Sequence, residues 1–170
     1  IFQGKRELFK GLAIDSKPYD WKQYPIIHLS FADCYASTPL ELEEYLNDQL
    51  NFVARENHIQ LVEQRLSSRF SALISAMIRG NGAVILIDEY DKPLLNNLGD
   101  MSQAQKMLPV MKGFYSSIKK CNDQERFVFV TGVTKFCHVS LFSDLNNLMD
   151  ISMDADYATM LGYTQEELEA

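Results

Sequence analysis

The sequence predicts an α/β fold with a mainly parallel sheet, and three observations support this prediction. Residues 83–87 and 127–130 are two continuously apolar segments that are rich in β-branched or aromatic side chains. Continuous rather than alternating apolarity is typical of strands that are buried on both faces, as in a parallel sheet covered by helices. Segments with helical periodicity separate the strands, so the predicted architecture is a three-layer α/β sandwich.

Length and composition indicate one globular domain. The chain has 170 residues, of which 46% are hydrophobic and 23% charged. No apolar run approaches the roughly 20 residues of a membrane span, so no membrane partner is expected. The cysteine count is odd and no CxxC pair is present, which excludes a disulfide scaffold and favours the reducing cytoplasm. The three cysteines are Cys34, Cys121 and Cys137.

The net charge of −7 is concentrated near the C-terminus. Residues 1–140 contain 16 basic and 16 acidic side chains, whereas residues 141–170 contain seven acids and no lysine or arginine. We interpret these acids as a solvated face, and we expect no strong nucleic-acid surface in this fragment.

The first predicted elements are a strand and a helix. A short strand is predicted over 26–31, after Tyr24-Pro25. Thr38 suits the N-cap of the following helix, Pro39 suits its first position, and Glu41 completes a capping box. Apolar residues then recur at helical spacing, at Leu42, Leu46, Leu50 and Val53.

Further elements alternate along the chain. A second helix is expected to end at Asn81-Gly82 in a left-handed cap, and a third has Pro109 at a kink or restart. We expect a short strand near 150–153, and Thr164 with Glu167 predicts a final helix. The apolar faces of the second and third helices contain Leu66, Phe70, Leu73, Ile74, Met77, Met111, Phe114, Tyr115 and Ile118.

The strand at 83–87 is followed directly by Asp88 and Glu89, which matches the Walker B pattern. In this pattern the first carboxylate holds Mg²⁺, usually through water, and the second acts as general base on the attacking water. Asp91 either supports the metal site or starts a turn. An acidic turn is also a common end for a buried strand, so the motif alone leaves a structural interpretation open.

The second buried strand also ends in polar residues. Thr131 and Thr134 are candidates for a sensor residue that faces the γ-phosphate, or else they are loop hydroxyls that cap a turn. Lys135 either approaches the phosphates or lies on the surface. Ligands of open α/β sheets bind beyond the carboxyl ends of the strands, where these residues and the acidic pair cluster.

Taken together, these blocks resemble the predicted AAA-ATPase-like proteins of bacteria. The resemblance extends over nearly the whole chain in the order of the family. It is carried by Phe9-Lys10-Gly11-Leu12, Trp21-Lys22-Gln23-Tyr24-Pro25-Ile26-Ile27, Leu86-Ile87-Asp88-Glu89-Tyr90-Asp91-Lys92-Pro93, Phe114-Tyr115, Thr131-Gly132-Val133-Thr134-Lys135-Phe136, Asn146-Asn147-Leu148, Asp150-Ile151-Ser152 and Gly162-Tyr163-Thr164.

The resemblance implies a P-loop domain of the additional-strand class that binds and hydrolyses ATP with Mg²⁺. It places Asp88 at the metal and Glu89 at the attacking water. It also implies that the strand leading to the phosphate loop lies next to the sensor strand at 127–130. Complete relatives often carry a nuclease-like domain of the PD-(D/E)XK type after the ATPase domain.

One departure from the family pattern is the phosphate loop itself, because no GxxxxGK[ST] segment is present. We therefore expect a fragment truncated at the N-terminus and also at the C-terminus. ATP hydrolysis is expected of the full-length protein and not of these 170 residues alone. An alternative is a catalytically inactive interaction module with a nucleotide-binding fold. A nuclease centred on the acids is disfavoured, since Tyr90 occupies the acidic position of a (D/E)-x-K motif at Lys92.

Overall fold

The computed structural model describes residues 1–78, 82–133, 147–160 and 164–169, and in this part the chain is α/β. Three strands, β1 (Ile26–Ser30), β2 (Ala83–Asp88) and β3 (Glu125–Val130), form an all-parallel sheet in the order β1-β2-β3. The parallel α/β class predicted from the sequence is confirmed. The α-helices are α1 (Pro39–Glu56), α2 (Leu66–Met77), α3 (Lys92–Leu95), α4 (Met101–Lys120) and α5 (Gln165–Glu169).

The strand order determines where the helices lie. Both crossovers, β1 to β2 and β2 to β3, step across the sheet in the same direction. Right-handed crossovers that step in one direction put their helices on one face of the sheet. Accordingly, Ile85 and its neighbours in register, Ile27 and Val128, pack into the helical core, whereas the buried Val84 on the opposite face is outside that core.

Helix α1 begins as the sequence predicts. The Thr38 side chain accepts a hydrogen bond from the Glu41 amide at 3.2 Å, and the Glu41 carboxylate in turn accepts one from the Ser37 amide at 2.7 Å. The predicted apolar face is buried, since Leu42, Leu46 and Leu50 have 0–1% of their surface exposed. The capping box and the apolar face together fix the start of the helix and its rotation against the sheet.

Helices α2 and α4 form the centre of the core. The rings of Phe70 and Phe114 stack with centroids 4.4 Å apart. The buried Ser117 hydroxyl donates to the Ser67 carbonyl at 2.8 Å, so the polar group is satisfied inside the interface. The sequence predicts a kink or a restart at Pro109; α4 runs through this residue without a break, so the restart is wrong. Buried residues on both sides of Pro109 pack in the core and stabilise the continuous helix.

Two predicted elements differ from the structure. Helix α2 ends at Met77, and Asn81 lies outside the described residues. Gly82 has a left-handed φ of +79°, and a Cβ there would lie 2.9 Å from the Arg126 amide nitrogen, so it serves the approach to β3. The expected strand at 150–153 is wrong, because the Asp150 carboxylate accepts from the Ser152 amide at 2.9 Å and forms a turn.

The final helix begins with the predicted capping box. The Thr164 hydroxyl accepts from the Glu167 amide at 3.2 Å, and the Glu167 carboxylate accepts from the Thr164 amide at 2.7 Å. Across the residues that the structure describes, no helix is both long and apolar enough to cross a membrane.

Strand β3 forms one edge of the described sheet and borders a groove of about 750 Å³. Phe127, which is 42% exposed, and Phe129 stack on the face away from the helices. Phe2 contacts Phe127 with ring centroids 5.3 Å apart and covers the amino end of that face. Residues 147–153 line the other side of the groove.

Glu125, at the start of β3, gives the fold a pH-dependent stability. Its Oε1 is shielded from solvent and has no hydrogen-bond partner among the described residues. Burial raises the pKa of Glu125 from the ordinary 4.5 to about 7, and Asp123 adds to the shift. Because the folded pKa exceeds the unfolded one, the folded state favours the neutral acid. The stabilising contribution of Glu125 is therefore present below pH 4.5 and is lost as the pH rises to about 7.

We expect Glu125→Gln to be more stable than the parent at pH 8 by roughly 1–2 kcal/mol, a value reduced for partial solvent screening. At pH 4 the two proteins should differ much less. Urea unfolding at both pH values measures this, with the exposed Glu44→Gln in α1 as the control. An equal stability difference at the two pH values would contradict the assignment.

Candidate functional site

The carboxyl ends of β2 and β3 bring together two residues that the sequence singles out. The Thr131 hydroxyl donates a hydrogen bond to Oδ1 of Asp88. The backbone holds the pair in place, since the Thr131 amide donates to the Ile87 carbonyl at 2.8 Å and the Tyr90 amide donates to the Thr131 carbonyl at 3.0 Å. Backbone hydrogen bonds therefore extend the contact between the two chain segments to Thr131, one residue beyond β3.

Asp88 and Thr131 lie beside a shallow groove of about 220 Å³. Leu86 and Phe129 line the groove, together with His28 of β1. These residues belong to the sheet face that is not covered by α1, α2 or α4, the long helices of the described residues. The Asp88 carboxylate is exposed, so a ligand can approach it from solvent over an apolar surface.

Glu89 follows Asp88 in an unusual backbone conformation. Its φ of +53° lies in the left-handed region, which costs a non-glycine residue roughly 1 kcal/mol. Its Oε2 lies 3.1 Å from the Lys92 ammonium nitrogen, and both side chains are about one-third exposed. The second carboxylate is thus held as an ion pair at the start of α3.

Asp91 is fully buried, with 0% of its surface exposed. Both carboxylate oxygens face the Val133 amide, at 3.1 and 3.2 Å. Its carbonyl accepts from the Leu94 and Leu95 amides at 3.0 Å and so starts α3. The Asp91 side chain therefore ties the loop after β2 to the loop after β3.

Gly132 is required by the close approach of these two loops. A Cβ at this position would lie 2.3 Å from the Tyr90 ring and 2.9 Å from Oδ1 of Asp91. Such distances are far below van der Waals contact, so any side chain would push the loops apart. Each residue of the Thr-Gly-Val block thus has its own role. Thr131 supplies the hydroxyl for Asp88, Gly132 leaves space for the Tyr90 ring, and Val133 supplies the amide for Asp91.

Two tyrosines support the site from the helical side, the buried Tyr115 and the half-buried Tyr45. The Tyr115 hydroxyl donates to the Tyr90 carbonyl at 3.3 Å, and the Tyr45 hydroxyl donates to the Ser30 carbonyl at 2.7 Å. Burial raises the pKa of Tyr115 well above its ordinary value and the pKa of Tyr45 to about 12. Both phenols remain neutral donors that fix the ends of β1 and β2.

Two of the predicted site residues, Thr134 and Lys135, lie outside the described residues. The structure adds Lys92, Gly132 and Tyr115, which the sequence analysis did not assign to the site. Lys92 had a detectable signal, because a lysine three residues after a glutamate at the start of a helix can form an ion pair with it.

The oxygen atoms of Asp88 and Thr131 are of the kind that hard cations such as Mg²⁺ accept as ligands. Within residues 1–78, 82–133, 147–160 and 164–169, no group of three or more His, Cys, Asp or Glu could hold a metal ion alone. Mg²⁺ usually binds one or two carboxylates and completes its shell with water and substrate phosphates. Asp88 could serve as that carboxylate.

Comparisons with known proteins are consistent with this geometry. A family model described as "Predicted AAA-ATPase" matches residues 1–142. An uncharacterized protein in the vnfD 5′ region of Azotobacter chroococcum mcd 1 is 35% identical over 173 residues, which cover 100% of this chain and 33% of that protein. The chain thus spans a third of the length of this curated relative. No solved structure matches the chain.

Gly132→Ala should destabilise the protein by about 1–3 kcal/mol, because the added methyl overpacks the contact between Tyr90 and Asp91. Gly113→Ala is the matched control. A Cβ there meets nothing within 4 Å, and alanine should stabilise α4 by about 0.5–1 kcal/mol. Thermal and urea unfolding compare the two variants, and a neutral Gly132→Ala would show that the loops do not need this space.

Proposed function

The chain belongs to the predicted AAA-ATPase family, and on this premise we propose that it forms part of an ATP-binding and ATP-hydrolysing domain. The hydrogen bond between Thr131 and Asp88 carries the proposal, because it joins the two strand ends to which the sequence assigns a Walker B and a sensor motif. The chain spans 33% of its curated relative, so the activity of the whole protein is part of the proposal.

Asp88 is proposed to hold Mg²⁺ through water molecules, because its carboxylate is exposed at the end of a strand. When bound, the ion would offset the negative charge of the ATP phosphates. The Thr131 hydroxyl fixes the orientation of the carboxylate by donating to Oδ1. In this role Thr131 would also act as the sensor. Its hydroxyl donates to Asp88, so a change at the phosphates would alter this hydrogen bond.

Glu89 is proposed as the general base that accepts a proton from the attacking water. Its ion pair with Lys92 holds the carboxylate in a defined position at the start of α3 while nucleotide is absent.

Thr134 and Lys135 follow Thr131 by three and four residues, and we propose that both approach the phosphates. The sequence leaves open whether Asp91 supports the metal site or starts a turn. Its buried carboxylate supports the loop that carries Thr131, so we assign it no direct contact with ATP.

The resemblance to complete relatives suggests what ATP hydrolysis would serve. We propose that the domain acts in the cytoplasm on an attached module, for which a nuclease-like domain is the leading candidate. The whole protein, rather than these 170 residues, is then the ATPase.

Two substitutions in the full-length protein test the assigned roles. Asp88→Ala should weaken Mg²⁺-nucleotide binding and abolish turnover. Glu89→Gln should lower the turnover number by about 10²–10⁴-fold while ATP still binds, because glutamine keeps the shape but is a far weaker base. Fluorescent-nucleotide titration and phosphate release measure binding and turnover side by side.

Exposed residues of α1 provide matched controls, Asp48→Ala for the first variant and Glu44→Gln for the second. Glu89→Gln turning over ATP at the parental rate would refute the catalytic assignment. A parent protein that binds no nucleotide would refute the ATPase proposal and favour an inactive interaction module.

A further inference from the structure

We infer that Asp91 is a positioning residue that holds Thr131 against Asp88 by binding the backbone of Val133. The inference rests on the proposed function, because it concerns the orientation of the carboxylate that is assigned to Mg²⁺. It adds a role for a residue that lies outside the groove and that the Walker B pattern does not include.

The burial of Asp91 is the first support. A carboxylate with no exposed surface is costly unless hydrogen bonds compensate for the lost water. Here both oxygens lie within 3.2 Å of the Val133 amide nitrogen. A residue that only started α3 could do so through its carbonyl, which accepts from Leu94 and Leu95, without a buried charge.

The position of the bond along the chain is the second support. The Thr131 amide donates to the Ile87 carbonyl and holds the N-terminal side of this residue. The hydrogen bond from the Val133 amide to Asp91 holds the chain on its C-terminal side. The two anchors enclose the residue whose hydroxyl meets Asp88. Removing the second anchor leaves the chain beyond Thr131 free to turn the hydroxyl away.

The packing at Gly132 is the third support. The glycine leaves just enough room for the Tyr90 ring and for Oδ1 of Asp91, so the two loops can meet in one arrangement. The Tyr115 hydroxyl, on α4, donates a hydrogen bond to the Tyr90 carbonyl and holds it in place. The Asp91 bond is therefore formed in a rigid setting, which is what a positioning contact requires.

The test measures nucleotide binding and amide exchange in the full-length protein. Asp91→Ala should raise the Mg²⁺ concentration for half-maximal nucleotide binding by roughly tenfold, the effect expected from losing a charge-assisted hydrogen bond. Asp91→Asn keeps one acceptor oxygen and should recover part of the loss. Hydrogen exchange at the Val133 amide should accelerate in Asp91→Ala.

A double-mutant cycle separates positioning from general destabilisation. If Asp91 acts through Thr131, Asp91→Ala combined with Thr131→Val should impair Mg²⁺-dependent binding no more than Thr131→Val alone. Ser117→Ala removes another buried hydrogen bond, in the interface of α2 and α4, and should lower stability without changing the Mg²⁺ dependence. If Asp91→Ala does not fold, Asp91→Asn and Gly132→Ala replace it in the cycle.

Additive effects of the two substitutions, or an unchanged Mg²⁺ dependence in a folded Asp91 variant, would overturn the positioning role while leaving the proposed function intact. Unchanged exchange at Val133 would show that the bond itself does not protect the loop. A parent protein without Mg²⁺-nucleotide binding would instead overturn the proposed function, and the positioning role with it.

Discussion

The parallel pairing of β2 with β3 determines where the candidate site and its supporting loops lie. It brings the carboxyl ends of the two strands to the same end of the sheet, where the Thr131 hydroxyl donates to Asp88. It also aligns the loops that follow, so that Asp91 can reach Val133 across a glycine. In an antiparallel pair the two carboxyl ends would lie at opposite ends of the sheet. The site is thus a consequence of strand direction before it is a consequence of any single side chain.

Strand order explains why the site is open. Both crossovers step in one direction, so the helices that they contain cover one face and leave Leu86 and Phe129 on the other. A ligand at Asp88 therefore approaches from the uncovered face, over an apolar surface. The same geometry leaves β3 at the edge of the described sheet, which is where the resemblance to P-loop ATPases places the strand that leads to the phosphate loop.

Much of the fold could be predicted because its signals are local. Continuous apolar runs marked β2 and β3, and Thr38 with Glu41 marked the start of α1. Failures occurred where tertiary contacts decide: Pro109 stays inside α4 because packing on both sides supports the helix, and Gly82 serves an approach to β3. Asp88 and Thr131 were predictable as strand ends. The bond from Asp91 to Val133 was not, because residues 42 positions apart meet only once the strands are paired.

The electrostatics of the described site indicate what a nucleotide would still need there. Asp88 and Glu89 are carboxylates, and the neighbouring Lys92 is engaged by Glu89 at 3.1 Å. The phosphates of ATP carry several negative charges, so two carboxylates in this position repel them unless cations intervene. Mg²⁺, which we propose binds at Asp88, would supply part of that charge, and the lysine and amides of a phosphate loop supply the rest in P-loop proteins. The described residues thus resemble the half of an ATPase site that holds the metal and positions the water, and this half is arranged by backbone contacts before any ligand binds.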